Sequence, residues 1–211
     1  MRGTGGTTRD MFEALISGLI AGWGVAVPLG AIGVMLVDLG MRGGFRSAAP
    51  AAAAVATADL LYAAVAAAAG SAAASLLEPH AHAMKLIAAG VLAAVALLGL
   101  RAARSRRGAP AAIPPAHRLY GRFLALTAVN PTTVVYFVAL IAGLPAVASA
   151  PASAKAVFVV AVGVASLAWQ LTLAGSGAAL HHRLPEDARL YTALAGNALV
   201  LGLAVRMALS A

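Results

Sequence analysis

Cysteine is absent from the chain, so neither a disulfide nor a thiolate nucleophile or thiolate metal ligand is available. Charge is scarce. Asp, Glu, Lys and Arg make up 10% of the 211 residues, 62% are hydrophobic, and the mean hydropathy is +0.90. Soluble domains carry about a quarter charged residues, and this chain has too few to cover a soluble surface. Acids are the scarcer sign, 7 against 15 Lys and Arg. The sequence shows no nucleophile–base pair, no phosphate loop and no metal motif, which argues against an enzyme and gives no reason to expect a cofactor or metal. His80, His82, His181 and His182 fall in loops or at span ends with no carboxylate cluster beside them, so they are weak metal ligands.

What is present is long stretches without charge. Ala14 to Val37 runs 24 residues without Asp, Glu, Lys, Arg or His, Phe123 to Ala154 runs 32, and Ala156 to Leu180 runs 25. A membrane-spanning helix needs about 20 apolar residues. Leu86 to Leu100 and Leu190 to Val205 are shorter, at 15 and 16 residues. Their flanking Lys85, Arg101, Arg189 and Arg206 can snorkel to the interface and extend them. The remaining run, Ala48 to Leu77, is interrupted by one charge, Asp59. The runs are continuously apolar rather than alternating, which favours helices over a β-barrel. The expectation is an all-α integral membrane protein with six transmembrane helices near 12–37, 49–72, 84–104, 119–143, 154–178 and 189–209. The first span follows Arg2 and Arg9 as a signal peptide would, but its run exceeds a signal core, so it is expected to be retained.

Six spans put alternate loops on opposite sides. One side collects ten basic residues: Arg42, Arg46, Arg101, Arg104, Arg106, Arg107, Arg118, Arg122, Arg183 and Arg189. The other has five: Arg2, Arg9, Lys85, Lys155 and Arg206. The positive-inside rule makes the first side cytoplasmic and puts both termini outside. The segment "RAARSRRGAPAAIPPAHR" (101–118) then anchors orientation rather than binding nucleic acid; this topology accounts for the +8 charge, and the partner the spans imply is a lipid bilayer.

The halves echo each other. "GVAVPLGAIGVML" (24–36) aligns with "TAVNPTTVVYFVA" (127–139) at an offset of 103, placing Pro28 over Pro131. "TADLLYAAVAAAAG" (57–70) aligns with "VASLAWQLTLAGSG" (164–177) at 107, placing Tyr62 over Trp169. "LIAAGVL" (86–92) aligns with "TALAGNA" (192–198) at 106. Three spans per half is an odd number, so the halves face opposite ways, as in the inverted-repeat plan of secondary transporters. A single domain over 1–211 follows, with repeat 1 at about 12–104, a cytoplasmic loop at about 105–118 and repeat 2 at about 119–209.

In that plan the interrupted segments mark the binding site. Pro28 and Pro131 remove backbone donors in the first and fourth spans. Asn130 can satisfy the freed carbonyls or hold a polar solute, and Thr127, Thr132 and Thr133 add hydroxyls, some of them expected to bond back to their own helix. Asp59 is the one acid deep inside a span, a site for a proton or an amine by default, with a structural hydrogen bond as the plain alternative. Asp38, four residues before Arg42, fits an interfacial ion pair. Gln170 needs a partner in lipid; Tyr62, Ser166, Trp169 and Asn197 are lesser candidates. Gly18, Gly22, Ala26 and Gly30 recur every four residues, a stripe that suits packing within the chain or a homodimer.

These residues resemble the LysE family of amino-acid exporters from about Phe12 to Leu209. The family's first span carries Pro-Gly-Pro and a Gly-x-x-Gly turn, similar to "VPLGAIGVMLVDLGMRGGFRSA" (27–48). Its second carries Gly-Asp, similar to "TADLLY"; its third ends in Leu-Gly before a basic stretch, similar to "LLGLRAARSRR"; its fourth carries Asn-Pro-Lys, similar to "FLALTAVNPTTVVYF" (123–137). Three positions depart: Pro28-Leu29-Gly30, Ala58 before the acid, and Thr132 in place of Lys. The resemblance implies export of amino acids or related small amines by proton antiport across a bacterial cytoplasmic (inner) membrane, with Pro28, Asp59, Asn130, Pro131, Thr132 and Gln170 as substrate- or ion-binding candidates. The competing functions are export of a metal ion or other inorganic solute, which needs several convergent ligands, and a non-transporting membrane interaction protein.

Overall fold

Alanine and leucine favour helix, and in lipid a helix satisfies its own backbone. A computed structural model describes residues 4–26, 31–69, 81–105, 112–130, 133, 137, 147, 149–181, 194–195, 197–198, 201–202, 204–206 and 208–209. Every regular element among them is a helix. They are α1 (Thr4–Ala26), α2 (Ala31–Ala69), α3 (Ala81–Ser105), α4 (Ala116–Ala128) and α5 (Ala152–His181). The helical residues between 194 and 209 fall in the sixth expected span. Ala31–Ala68 and Ala152–Leu180 are long and apolar enough to cross a membrane.

α2 has two limbs. Gly44 adopts φ 73° and ψ 177° inside it, a left-handed φ open to glycine and strained for other residues. It lies in the "GMRGG" turn expected between the first two spans.

α5 is the central strut. A methyl added at Gly18 would lie 2.6 Å from the Phe158 carbonyl oxygen, and one at Gly22 would lie 2.6 Å from that of Val162. Both sequence numbers rise together, so α1 runs parallel to α5. Further along, Gly40 faces Ala174 and Gly177 of α5 just as closely. Past Gly44 the direction reverses: Asp59 meets Ser166, and Leu60 packs on Gly163. Glycine at these positions lets backbones approach closely, a main source of helix adhesion in lipid. The α1 stripe is therefore engaged within the chain at Gly18 and Gly22, rather than left open for a second copy.

The interior is built from small residues. Ala48, Ala51, Ala52 and Ala54 of α2 are fully buried beside Leu36, Phe123 and Ala174. A second cluster joins Ala14 and Ala21 of α1 to Phe158 and Val162 of α5 and to Phe137. Ala31 meets Ala96 of α3 and Ala204 in a third. Leu36, Phe123, Phe137 and Phe158 are large residues buried among them, while Ile20, Val65, Ile87, Leu98 and Val160 are exposed. Bulky apolar residues on the outside suit a surface covered by lipid.

Candidate functional site

The site forms where α2, α4 and α5 converge. Asp59, on the second limb of α2, is 3% exposed. Ser166 of α5, fully buried, donates its hydroxyl to Asp59 Oδ2 at 2.6 Å. The two residues are 107 apart, the offset at which their segments align. Gln170 follows Ser166 by one helical turn on the same face of α5. Its side chain is 5% exposed, and among the described residues no donor reaches its Oε1.

These groups border a cavity of about 60 Å³, shared with Thr127, Asn130 and Thr133 and with Val25, Ala26 and Gly33. That is room for a few water-sized groups. α4 ends beside it. Val129 N donates to Ala125 O at 3.0 Å and Asn130 N to Thr127 O at 3.1 Å, closing the last turn. Tyr62, one turn beyond Asp59, donates its hydroxyl to Ala128 O at 2.5 Å. Its ring stacks on Phe137 at 5.7 Å. The carbonyls at the end of α4 ahead of Pro131 thus accept from backbone amides and a tyrosine. Thr127 donates to Phe123 O at 2.8 Å, bonding back to its own helix. Tyr120 ties α4 to α2 through Thr57 at 3.0 Å.

The chain was compared with known proteins. The model of the LysE type translocator family matches residues 24–211. This protein belongs to the LysE type translocator family. No curated protein and no solved structure matches it. As a LysE type translocator it is a membrane protein that moves small solutes, and its family is one of transporters rather than enzymes.

In this translocator the structure brings together three of the six sequence candidates, Asp59, Asn130 and Gln170. Pro28, Pro131 and Thr132 lie outside the described residues. Asp38 forms the expected pair with Arg42 at the far end of the first limb, away from the cavity, and its Oδ1 is buried without a partner among the described residues. Two contributions were underrated in sequence. Ser166 holds the carboxylate, and the offset of 107 that sets it over Asp59 was the signal that could have found it. Tyr62 is more than packing, and only its distance from Ala128 reveals the bond. Trp169, aligned with Tyr62, instead lies against Trp23 with ring centres 5.9 Å apart.

Proposed function

We propose that this protein is a secondary exporter of amino acids or related small amine-containing solutes, working by proton antiport in a bacterial inner membrane. Its six spans form two inverted three-helix repeats with both termini outside. The solute binds at Asp59, Asn130 and Gln170, between interruptions at Pro28 and at Pro131-Thr132. Alternating access rocks one repeat against the other about this site.

The observation that carries this is a buried carboxylate beside a cavity at the meeting of three helices, two of them long and apolar enough to cross a membrane. An ionisable group in that setting is costly and marks a solute or proton path. Packing supports the inverted repeat. The first span rests on the fifth through Gly18 and Gly22, and the second rests on the fourth through Tyr62 and Tyr120. An inverted repeat makes those two contacts equivalent. It also requires that equivalent positions touch only beside the axis relating the halves, and Asp59 with Ser166 is such a pair.

The test is efflux from vesicles reconstituted with the purified protein. A panel of amino acids and amines is loaded inside, and a pH gradient, acid outside the loaded face, drives exchange. Efflux that collapses the gradient is expected for at least one class. No gradient-coupled flux across the whole panel would sink the proposal. A reporter fused at Ala211 checks topology, and a cytoplasmic C-terminus contradicts the six-span arrangement.

A further inference from the structure

We propose that the cavity selects a solute that is a cation without a carboxylate: a primary ammonium seated between Asp59 and Gln170. This rests on the transport function proposed above and narrows its substrate class.

Three observations lead there. First, the charge around the site has one sign. Among its described lining residues Asp59 is the only charged one. The stretches 14–37, 48–77, 123–154 and 156–180, which supply that lining, contain no Lys, Arg or His at all. A zwitterionic amino acid would bring its carboxylate into a poorly hydrated site with no counter-charge, next to another carboxylate. Desolvated charges without partners are strongly disfavoured.

Second, two hydroxyl donors at the site, Ser166 and Thr127, are engaged and an acceptor is open. Ser166 already gives its proton to Asp59, and Thr127 gives its proton to Phe123 O. Gln170 Oε1, in contrast, is buried with no donor among the described residues. A buried orphan acceptor is expensive to maintain, and it lies one turn from the residue that holds the carboxylate. An ammonium has three N–H donors. One can meet Asp59, one Gln170 Oε1, and the third another lining oxygen. The amide NH2 of Gln170 is neutral and cannot replace a missing counter-charge.

Third, the cavity of about 60 Å³ gives an ammonium head room beside Asp59.

The test compares matched pairs that differ only in the carboxylate: ethylamine with alanine, isobutylamine with valine, and 1,5-diaminopentane with lysine. Binding to the purified full-length protein in detergent is measured by titration calorimetry, and efflux is measured from reconstituted vesicles. At least one amine is expected to bind about tenfold tighter than its amino acid, the scale of one hydrogen bond to a charged group. Gln170→Leu should weaken that amine about tenfold, and Gln170→Glu should shift preference toward 1,5-diaminopentane by adding a second charge. Since Gln170→Leu also alters packing, the gain of preference in Gln170→Glu is the deciding variant. Amino acids that bind as tightly as their amines overturn the proposal, as does the absence of binding by all three amines. If the amino acids are also exported against a pH gradient, the transport function stands while this selectivity falls. If neither class is moved, the transport function itself fails.

Discussion

At position 59 the first half of the chain carries a carboxylate. At position 166, the aligned place in the second half, it carries a hydroxyl, and the two are hydrogen-bonded. The sequence segments around them align at an offset of 107, but the chemistry at the two positions differs. The first half brings the one charge of the described lining. The second brings neutral groups: Ser166, which donates to it, and Gln170, Thr127, Asn130 and Thr133, which line the same cavity. The difference teaches where symmetry matters and where it is dispensable. In the proposed mechanism, matched helix positions allow the halves to exchange roles during alternating access. A matched charge would put two carboxylates within hydrogen-bonding distance, where both cannot stay ionised. One acid and one hydroxyl give a single site for a single proton or cation.

The largest effect tests which half owns the charge. Asp59→Asn keeps the shape and removes the ionisable group, so gradient-driven efflux in vesicles should fall to the leak rate while the protein still inserts. Moving the charge is sharper. In the double variant Asp59→Ser with Ser166→Asp, the pair is exchanged across the axis, and coupled efflux should return in part. A double variant as inactive as Asp59→Asn would show that the position of the carboxylate, and not the presence of one at the axis, sets coupling.

Next comes the partner alone. Ser166→Ala leaves the Asp59 carboxyl in place but takes away its described donor. A hydrogen bond to a charged group contributes about 1.5–3 kcal/mol, so efflux should slow by about tenfold or more. Ser166→Thr, which retains the hydroxyl, should recover most of it. An unchanged rate in Ser166→Ala would reduce the bond to a bystander.

Much of this was legible in the sequence, for reasons that can be named. The helices were, because hydrophobic runs in a membrane must satisfy their own backbone; α3 at Ala81–Ser105 and α5 at Ala152–His181 overlie spans expected at 84–104 and 154–178. Asp59 was, because a lone acid in such a run has few explanations. The parallel course of α1 on α5 was not, since a stripe of glycines states only that something approaches closely and not what. Tyr62 was not, because the carbonyl it serves is 66 residues away. Pairing across the fold leaves no mark on local pattern.

A smaller effect separates two glycines that the proposed repeat makes equivalent. Gly18 and Gly121 are 103 apart, the offset of the first and fourth spans. At Gly18 a methyl would meet the Phe158 carbonyl oxygen at 2.6 Å and the Ala161 methyl at 2.7 Å, whereas at Gly121 it would meet nothing within 4 Å. Gly18→Ala should therefore destabilise by about 1–3 kcal/mol, as overpacking does. Gly121→Ala should stabilise by about 0.5–1 kcal/mol through helix propensity. Melting temperatures in detergent measure both. Equal responses would mean that the α1–α5 seam opens freely and is not a fixed contact.

The smallest effect lies with the aligned aromatics. Tyr62 uses its polar handle, donating to Ala128 O at 2.5 Å, while Trp169 has a buried Nε1 with no partner among the described residues. Tyr62→Phe preserves the ring that stacks on Phe137 and removes only the hydroxyl. Interhelical bonds in membranes average about 0.6 kcal/mol and reach about 1.7, so the melting temperature should drop slightly. The loss should be read at the end of α4: amide exchange at Val129 and Asn130 should quicken, since the Ala128 carbonyl beside them has lost its donor. Trp169→Phe should leave exchange there unchanged, because its N–H has no partner among the described residues. If Tyr62→Phe also leaves it unchanged, the end of α4 is fixed by its own last turn and not by the second span.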